Sequence, residues 1–396
     1  MHRRAYVVLF IAVFVSTLGV GFIGPLLPLY ARDLGADGLT LGMIFAGFSA
    51  ARFFVTPVFG RLSDRWGRRR FLATGLALYA LASLAYLAAK TTGQLIVVRS
   101  LHGATGGMVI PIAQAYIGDL SPEGREGSYM GAFMVSLFTA FGIGPLLGGP
   151  LADRFGMSAP FFAMGALSAV ACVLTIVMLP ELGLHRERAK KRAAIRTIIG
   201  EPLVVAFFIF RSIVAFGRGL IVPFLPFVAE ARGASLSMIG LLLATYIILA
   251  GLLQIPFGRL ADRVSKPLLM SVSVLGSAGV LVAIPFCRTV QSLFLLQMAA
   301  GVVSAVGFPA GLAVATRCGK HFHAMGTSMG LFNTGMSVGL IAGPLAGGFA
   351  EGIFGLDFVF QGGSLVVVAG FVVFLLAMRK AERAGSLAWL VNGGLR

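Results

Sequence analysis

Acidic residues are scarce in this sequence, and that scarcity narrows the class of protein. Only 15 aspartates and glutamates stand against 32 lysines and arginines, and charged residues make up 12% of the 396 residues. Soluble globular proteins are about 25% charged, so these numbers, with 58% hydrophobic residues, exclude a soluble domain and indicate a membrane protein. A net charge of +17 would suggest nucleic acid as the partner of a soluble chain. Here we expect no nucleic-acid binding, because membrane topology accounts for most of the charge.

Cysteines and catalytic patterns are also few. The three cysteines lie in or at the ends of apolar runs without paired spacing, at Cys172, Cys287 and Cys318. This arrangement predicts neither a disulfide framework nor a metal site. The sequence contains no HExxH motif, no phosphate-binding loop and no Ser/His/Asp pattern, so we expect a protein that is not an enzyme and binds no cofactor.

Apolar runs are abundant. About 20 residues of helix cross the ~30 Å of hydrocarbon in a bilayer. The basic residues at the start and the apolar run after them resemble a signal peptide, but that run is too long and lacks a cleavage site, so we interpret it as the first span. The sequence thus predicts an all-α protein with spans at 5–30, 39–60, 71–89, 94–117, 127–151, 159–180, 203–229, 237–258, 267–286, 291–315, 323–350 and 356–378.

The lysines and arginines between these spans are unevenly distributed. Alternating the loops between the two membrane faces puts 23 of the 32 on the side of the N-terminus and five on the other side. Because cytoplasmic loops carry the excess of positive charge, this bias predicts that both termini are cytoplasmic. We expect the protein in the cytoplasmic (inner) membrane of a bacterium, as a monomer. Four arginines remain inside spans: Arg52, Arg99, Arg211 and Arg218.

The two halves of the chain repeat each other. The segment GFIGPLLPLYARDLG (21–35) matches GLIVPFLPFVAEARG (219–233) at an offset of 198 residues, and GPLLGG (144–149) matches GPLAGG (343–348) at an offset of 199. Repeats in parallel orientation are typical of transporters built from two homologous bundles. We therefore predict six-helix bundles at 1–180 and 203–396, the second with a short cytoplasmic tail, joined by a basic cytoplasmic linker at 181–202.

A basic segment between the second and third spans identifies a family. The stretch Gly60 to Arg70 reads GRLSDRWGRRR and resembles the loop signature of the major facilitator superfamily. Arg99 and Gly103 match the RxxxG signature of the fourth span. GPLLGG in the fifth span resembles the antiporter signature of the twelve-span drug:H⁺ antiporter branch, although Ala140 replaces its first glycine.

The resemblance implies roles for the loop residues. In this family the loop carboxylate and its arginines latch the two bundles when the protein faces outward, so we expect an ion pair between Arg68 and Asp119. Such a cluster is a two-state element that breaks as the bundles rock. The alternative is a basic loop that only sets topology. The candidate gating residues are Gly60, Asp64, Arg65, Gly67, Arg68, Asp119 and, at the repeat position of Asp64, Asp262.

The glycine-rich motifs predict helix packing, not substrate binding. Small residues let two helices approach closely, and the proline bends the helix. The motif residues are Gly144, Pro145, Gly148, Gly149, Gly343, Pro344, Gly347 and Gly348.

Ionisable residues within spans are costly and usually functional. The resemblance places spans one, four, seven and ten around a central cavity, so Arg99, His102, Arg211 and Arg218 would face it. Alternatives are that Arg211 extends to the membrane surface and that Arg52 binds backbone carbonyls. The remaining cavity candidates are Arg52, Asp33, Tyr246, Asn333 and Gln297, which occupies the repeat position of Arg99.

No aspartate or glutamate falls in the middle of a predicted span. Members of the antiporter branch commonly carry such a carboxylate, so proton coupling would fall to Asp33, to His102 or to the substrate itself. The missing carboxylate also favours anionic or neutral amphipathic substrates over cations. The favoured function is proton-driven export of hydrophobic or amphipathic small molecules. The alternative is a uniporter or symporter for one organic anion, sugar or lipid-like metabolite, and a receptor or enzyme is disfavoured.

Overall fold

The structure is a computed structural model that describes residues 2–120, 126–180, 198–322 and 324–386. Most of the predicted linker (181–197) and the tail (387–396) lie outside the described residues, as does the side chain of Asp64. The described part is helical, without β-strands, and contains twelve helices that are long and apolar enough to cross a membrane. The predicted all-α architecture with twelve spans is therefore confirmed.

Seven helices precede the predicted linker. They are α1 (His2–Ile23), α2 (Leu27–Asp33), α3 (Gly38–Trp66), α4 (Arg68–Ala88), α5 (Thr92–Leu120), α6 (Glu126–Phe155) and α7 (Ala159–Met178).

Six helices and a 3₁₀ turn follow it. They are α8 (Pro202–Glu230), α9 (Leu236–Arg263), α10 (Lys266–Ala283), the turn Ile284–Phe286, α11 (Val290–His321), α12 (Met325–Phe354) and α13 (Leu356–Arg383).

The chain divides into two compact units. Unit one contains residues 1–186 and 222–248, and unit two contains residues 187–221 and 249–396. The bundle boundaries predicted at 180 and 203 stay a prediction. In unit one, α3 packs along α5, α4 lies against α5 and α7, and α1 packs against α6 and α7. In unit two, α10 packs against α11 and α13, and α12 contacts both of these helices.

Each unit buries its own apolar core. Tyr116 and Phe133 are fully buried in unit one among leucines and valines from α1, α4, α5 and α6. Phe210, Phe360 and Phe374 are buried in unit two. Because lipid is as apolar as these side chains, close packing more than burial from water holds such helices together.

The sequence repeat is also a structural repeat. In unit one, a Cβ placed on Gly21 would lie 2.8 Å from the Cα of Gly144 and 3.3 Å from the Cδ of Pro145. In unit two, a Cβ on Gly219 would lie 3.4 Å from the Cα of Gly343 and 2.8 Å from the Cδ of Pro344. The repeat offsets relate each of these residues to its counterpart, so α1 packs on α6 as α8 packs on α12.

Two predicted boundaries are wrong. The first span was expected to run from 5 to 30, but α1 ends at Ile23, because Pro25 lacks an N–H and disfavours helical backbone before it. The basic segment 60–70 was expected to be a loop, yet it is helical except at Gly67. Gly67 has φ of 100°, a value that favours glycine, and it alone separates α3 from α4.

Candidate functional site

The centre of unit one contains a buried arginine held by aromatic rings. Arg99 on α5 is 5% exposed, and its guanidinium carbon lies 4.3 Å from the ring centre of Phe48 and 5.4 Å from that of Phe45. One Nη donates a 3.3 Å hydrogen bond to the Tyr86 hydroxyl. Cation–π contacts and this hydrogen bond compensate the charge without a carboxylate. Arg99 is therefore packed within the bundle, and it does not line the cavity described below.

His102 completes this cluster. Its Nδ1 lies 2.9 Å from the Tyr86 hydroxyl and 3.4 Å from the Arg99 guanidinium. Since the Tyr86 oxygen accepts from Arg99, its own proton is available to donate to Nδ1, which must then be an unprotonated acceptor. The ring is fully buried against Tyr79 at 4.3 Å and Phe48 at 5.4 Å. The arrangement fits a neutral imidazole.

Close contact between α3 and α5 sets the position of this cluster. A Cβ on Gly103 would overlap the backbone carbonyl of Phe48, and one on Gly107 would lie 3.1 Å from the carbonyl oxygen of Arg52. The Gly103–Gly107 spacing of one helical turn is the small-xxx-small pattern of close helix pairs. It brings the α3 backbone against α5 and so fixes the positions from which the Phe48 and Arg52 side chains extend.

A cavity of about 60 Å³ lies beside the cluster in unit one. Its lining comes from α1, α3, α4, α5 and α6, and no carboxylate contributes to it. Of the predicted cavity residues, Arg52 alone is in this lining. The residues around the cavity are Ser16, Thr17, Val20, Phe48, Arg52, Tyr79, Gly106, Val109, Ile110 and Phe141.

One end of unit one holds the ion pair expected from the loop signature. Arg68 Nε lies 2.5 Å from Asp119 Oδ2, joining the start of α4 to the end of α5. Arg69 donates to the backbone carbonyl of Ile176 near the end of α7. Arg65 is exposed, and Gly60 leaves space around its backbone. The basic segment therefore fixes the ends of neighbouring helices, whatever its role in gating.

A second polar contact in unit one joins the ends of α2 and α8. Arg32 at the end of α2 pairs with Glu230 at the end of α8, with 2.6 Å between Nη and Oε2. The two residues are 198 apart, the offset of the repeat. Asp153 accepts a 3.0 Å hydrogen bond from the backbone N–H of Ser237. Asp33 is exposed beside this cluster.

A carboxylate also starts α3 at this end. Asp37 accepts a 2.8 Å hydrogen bond from the backbone N–H of Thr40 and is the N-cap of the helix. Hydrogen bonds from the side chain and backbone of Thr40 hold the pKa of Asp37 below its usual range.

Unit two contains a partly buried arginine in contact with aromatic rings. Arg211 lies 4.9 Å from the ring centre of Phe332 and 5.0 Å from that of Phe308, and it donates to the sulfur of Met336. Arg218 is exposed. Arg211 therefore contacts aromatic rings within the bundle, as Arg99 does in unit one.

The remaining candidates are Gln297, Tyr246, Asn333 and Asp262, each described by its own surroundings. Gln297 on α11 is 2% exposed, and its Oε1 has no partner among the described residues. Tyr246 on α9 is partly buried, whereas Asn333 on α12 is exposed. Asp262 is exposed at the end of α9, where its charge acts on Lys266.

The glycine motifs make close helix contacts. A Cβ on Gly148 would overlap the backbone of Phe22, and one on Gly149 would lie 2.7 Å from the Cα of Ser237. In unit two, a Cβ on Gly343 would overlap the carbonyl oxygen of Phe216. Gly347 and Gly348 are both buried.

Several functional candidates escaped the sequence argument. Thr17 and Tyr79 line the cavity, and phenylalanine rings contact the guanidinium groups of Arg99 and Arg211. Nothing distinguishes these phenylalanines among the 33 in the chain. The small-residue spacing at Gly103 and Gly107 was a usable signal, because it marks the side of α5 that α3 approaches.

Twelve apolar helices, a repeated packing motif and arginines packed on aromatic rings within spans define a polytopic membrane protein of the transporter class. A sequence profile described as Major Facilitator Superfamily matches residues 9–214 and 207–389. The chain therefore belongs to the major facilitator superfamily, and it is an integral membrane transporter.

Relatives and solved structures agree over nearly the whole length. An uncharacterized MFS-type transporter of Methanocaldococcus jannaschii is 30% identical over 379 residues, which cover 93% of this chain and 97% of the relative. The multidrug resistance protein MdtG of Salmonella paratyphi A is 27% identical over 384 residues, covering 94% and 93%. A crystal structure of a bacterial homologue of the human lysosomal transporter Spinster superposes with a TM-score of 0.81 at 14% identity, covering 94% of this chain and 96% of that one. This last likeness concerns the fold alone.

Proposed function

We propose that this transporter is a secondary exporter of hydrophobic and amphipathic small molecules, driven by the proton gradient and working by alternating access. The observation that carries the proposal is the glycine–proline contact made twice, by Gly21 with Pro145 and by Gly219 with Pro344. Two equivalent bundles that rock around a central site are the basis of alternating access in such folds. Relatives named multidrug resistance proteins support the direction and the substrate class.

Polar contacts at the two ends of the helices suit a gate. With the termini in the cytoplasm, Arg68 and Asp119 lie at the inner end, and Arg32 and Glu230 at the outer end. Both ion pairs are partly exposed, with side-chain exposures of 21% and 32% for the first and 47% and 40% for the second. Exposed pairs contribute about 0–1 kcal/mol, so they can break and reform during a cycle without trapping one state.

The geometry favours two of the three proton carriers named from the sequence. Protonated His102 would place a second positive charge 3.4 Å from Arg99, and no described carboxylate hydrogen-bonds to either residue. Asp33 is exposed, so solvent can reach its carboxylate. We therefore assign the coupled proton to Asp33 or to an ionisable substrate.

Proteoliposomes with an imposed pH gradient and an entrapped pH-sensitive dye test the proposal. Adding cationic, neutral and anionic amphiphiles in turn should release protons only when a substrate moves. Asp33→Asn should abolish this coupled flux if the carboxylate carries the proton, whereas His102→Gln should retain it. Asp37→Asn is the matched control, because asparagine keeps the helix cap. Substrate movement that ignores the gradient in the unmodified protein would overturn antiport.

The alternative function is a uniporter or symporter for one metabolite. It is favoured by a single observation: each aspartate and glutamate in the described helices lies at or near a helix end. Uptake that follows the substrate gradient in either direction, for one compound of a panel, would support it.

A further inference from the structure

The cavity in unit one contains a buried hydroxyl that no described residue satisfies. Thr17 on α1 is 2% exposed, lines the cavity, and its Oγ1 has no hydrogen-bond partner in the described part of the protein. The neighbouring Ser16 hydroxyl, by contrast, donates to the carbonyl of Val13. Buried polar atoms are nearly always hydrogen-bonded, and a polar group bound in the cavity would supply the partner that Thr17 lacks.

The same cavity contains a cation whose charge is not balanced. Arg52 lines it, and among the described residues no hydrogen bond or ion pair engages its guanidinium. Its backbone carbonyl accepts a 2.7 Å hydrogen bond from the Thr56 hydroxyl. A charged group within a membrane span normally has a partner. Arg99 has Tyr86 and two phenylalanine rings for this purpose. In the described part of the protein, Arg52 interacts electrostatically with the neutral Tyr79 side chain but makes no such hydrogen bond or ring contact.

The lining restricts the chemistry of that partner. One guanidinium and the hydroxyls of Thr17 and Tyr79 are donors, and the other walls are mostly apolar. A singly charged anion would balance Arg52, whereas a divalent phosphate would leave excess negative charge in an apolar surrounding. Guanidinium groups match carboxylates in planar, two-point hydrogen bonds. A volume of about 60 Å³ accommodates a carboxylate group but not a whole drug-sized molecule.

We propose that this cavity binds the carboxylate of an amphipathic monocarboxylic acid, with Arg52 as its charge partner and Thr17 and Tyr79 as hydroxyl donors. The inference rests on the proposed transport function, for which it names a substrate class. The apolar body of the substrate would extend from the cavity along the phenylalanine-rich walls.

Binding is tested separately from flux, so that the two proposals can fail independently. Purified protein in lipid nanodiscs is titrated with radiolabelled benzoate, and isosteric neutral benzamide and sodium chloride are added as competitors. We expect benzoate to bind, benzamide not to displace it, and chloride to compete only weakly. If benzamide displaces benzoate as well as unlabelled benzoate does, the inference is wrong. It is also wrong if chloride binds at Arg52 and benzoate does not, because the cavity is then a site for a free inorganic anion.

Matched variants locate the site. Arg52→Gln should weaken benzoate binding about 10- to 100-fold, because a charge-assisted hydrogen bond is lost. Arg288→Gln removes the same charge from an exposed position in unit two and should leave binding unchanged. Gly106→Val should abolish binding with all charges retained, because a Cβ there lies 3.8 Å from Phe48 Cζ and its methyl groups would fill the cavity.

A second set of variants guards against misfolding. Thr17→Val preserves shape and removes only the unsatisfied hydroxyl, so the protein should stay folded while benzoate binds several-fold more weakly. Unchanged benzoate affinity in folded Arg52→Gln or Thr17→Val protein would refute the assignment. Benzoate binding that depends on Arg52, in a protein that moves no substrate in proteoliposomes, would retain the site and reject the proposed transport function.

Discussion

The contact between α3 and α5 leads to a prediction that two nearly identical substitutions can test. Gly103 and Gly106 lie three residues apart on α5, and each can be changed to alanine. A Cβ at Gly103 would overlap the carbonyl oxygen of Phe48 and lie 2.7 Å from its Cα. At Gly106 the nearest atoms to a Cβ are 3.8 and 3.9 Å away, which is ordinary van der Waals contact.

The expected effects have opposite signs. Gly103→Ala pushes against backbone, which cannot rotate away, and such overpacking costs about 1–3 kcal/mol. Gly106→Ala meets no obstacle and gains up to about 1 kcal/mol of helix propensity. The two variants should therefore differ by about 1–4 kcal/mol, less any free energy recovered if α3 shifts to relieve the overlap.

Thermal stability in detergent measures the difference. The folded fraction left after heating is read by size-exclusion chromatography, and the midpoint should fall for Gly103→Ala while that of Gly106→Ala stays level or rises. Movement of α3 would also separate Phe48 from Arg99, so transport should fall in Gly103→Ala protein even below its melting midpoint. Equal midpoints for the two variants would refute the close packing described for this helix pair.

Three further predictions follow from individual contacts. Arg68→Asp and Asp119→Arg should each reduce transport, and the double swap should restore part of it. Stability should change by no more than about 1 kcal/mol, because the pair is partly exposed. If the double swap restores no transport, the pair has no gating role. Tyr86→Phe removes the hydroxyl that hydrogen-bonds to Arg99 and His102, and it should lower stability by about 1–3 kcal/mol. Tyr30→Phe loses one hydrogen bond to the backbone carbonyl of Tyr86 near the end of α4, and it should lower stability less in the same melting assay. Asp37→Ala should lower the stability of the protein by about 1 kcal/mol at neutral pH, because the helix cap is lost. Since the pKa of Asp37 is lowered in the folded protein, the contribution of the cap is present above pH ~4 and disappears as the pH falls through the pKa of the folded state. A stability difference between the two proteins that persists in acid would contradict the role of Asp37 as the cap.

Much of the fold could be predicted because membrane constraints act on composition. Twelve spans follow from length and hydropathy, and the repeat follows from matched prolines and glycines that are also matched in space, as Gly144 and Gly343 show. The effect of individual prolines on the helices was harder to predict. Pro25 ends α1, whereas its repeat partner Pro223 lies inside the continuous α8. Proline is tolerated in a span when neighbouring helices satisfy the freed groups, and the sequence does not show which neighbours are present.

The candidate site was predictable only in part, because burial depends on neighbours far along the chain. From the sequence, Arg99 was expected to face the central cavity, whereas Arg52 was a cavity candidate with binding to backbone carbonyls as its alternative. The structure separates them: Arg99 is paired with Tyr86 and two rings, whereas Arg52 faces a cavity with an unsatisfied Thr17. The difference between the two arginines depends on which side chains from other helices surround each guanidinium. The residue pattern of α3 or of α5 alone does not predict it.

This separation bears on how a transporter with so few acids could work. An arginine whose charge is compensated inside the protein contributes rigidity, whereas one whose charge is balanced only by a ligand favours the loaded state over the empty one. A gradient-driven carrier needs such a difference, because a ligand shifts a conformational equilibrium only by its differential affinity for the two states. If the substrate carboxylate neutralises Arg52, then the loaded protein carries less net charge in its apolar interior than the empty one. The absence of a mid-span carboxylate is then a requirement of the site, because an acid there would occupy Arg52 permanently and exclude the substrate.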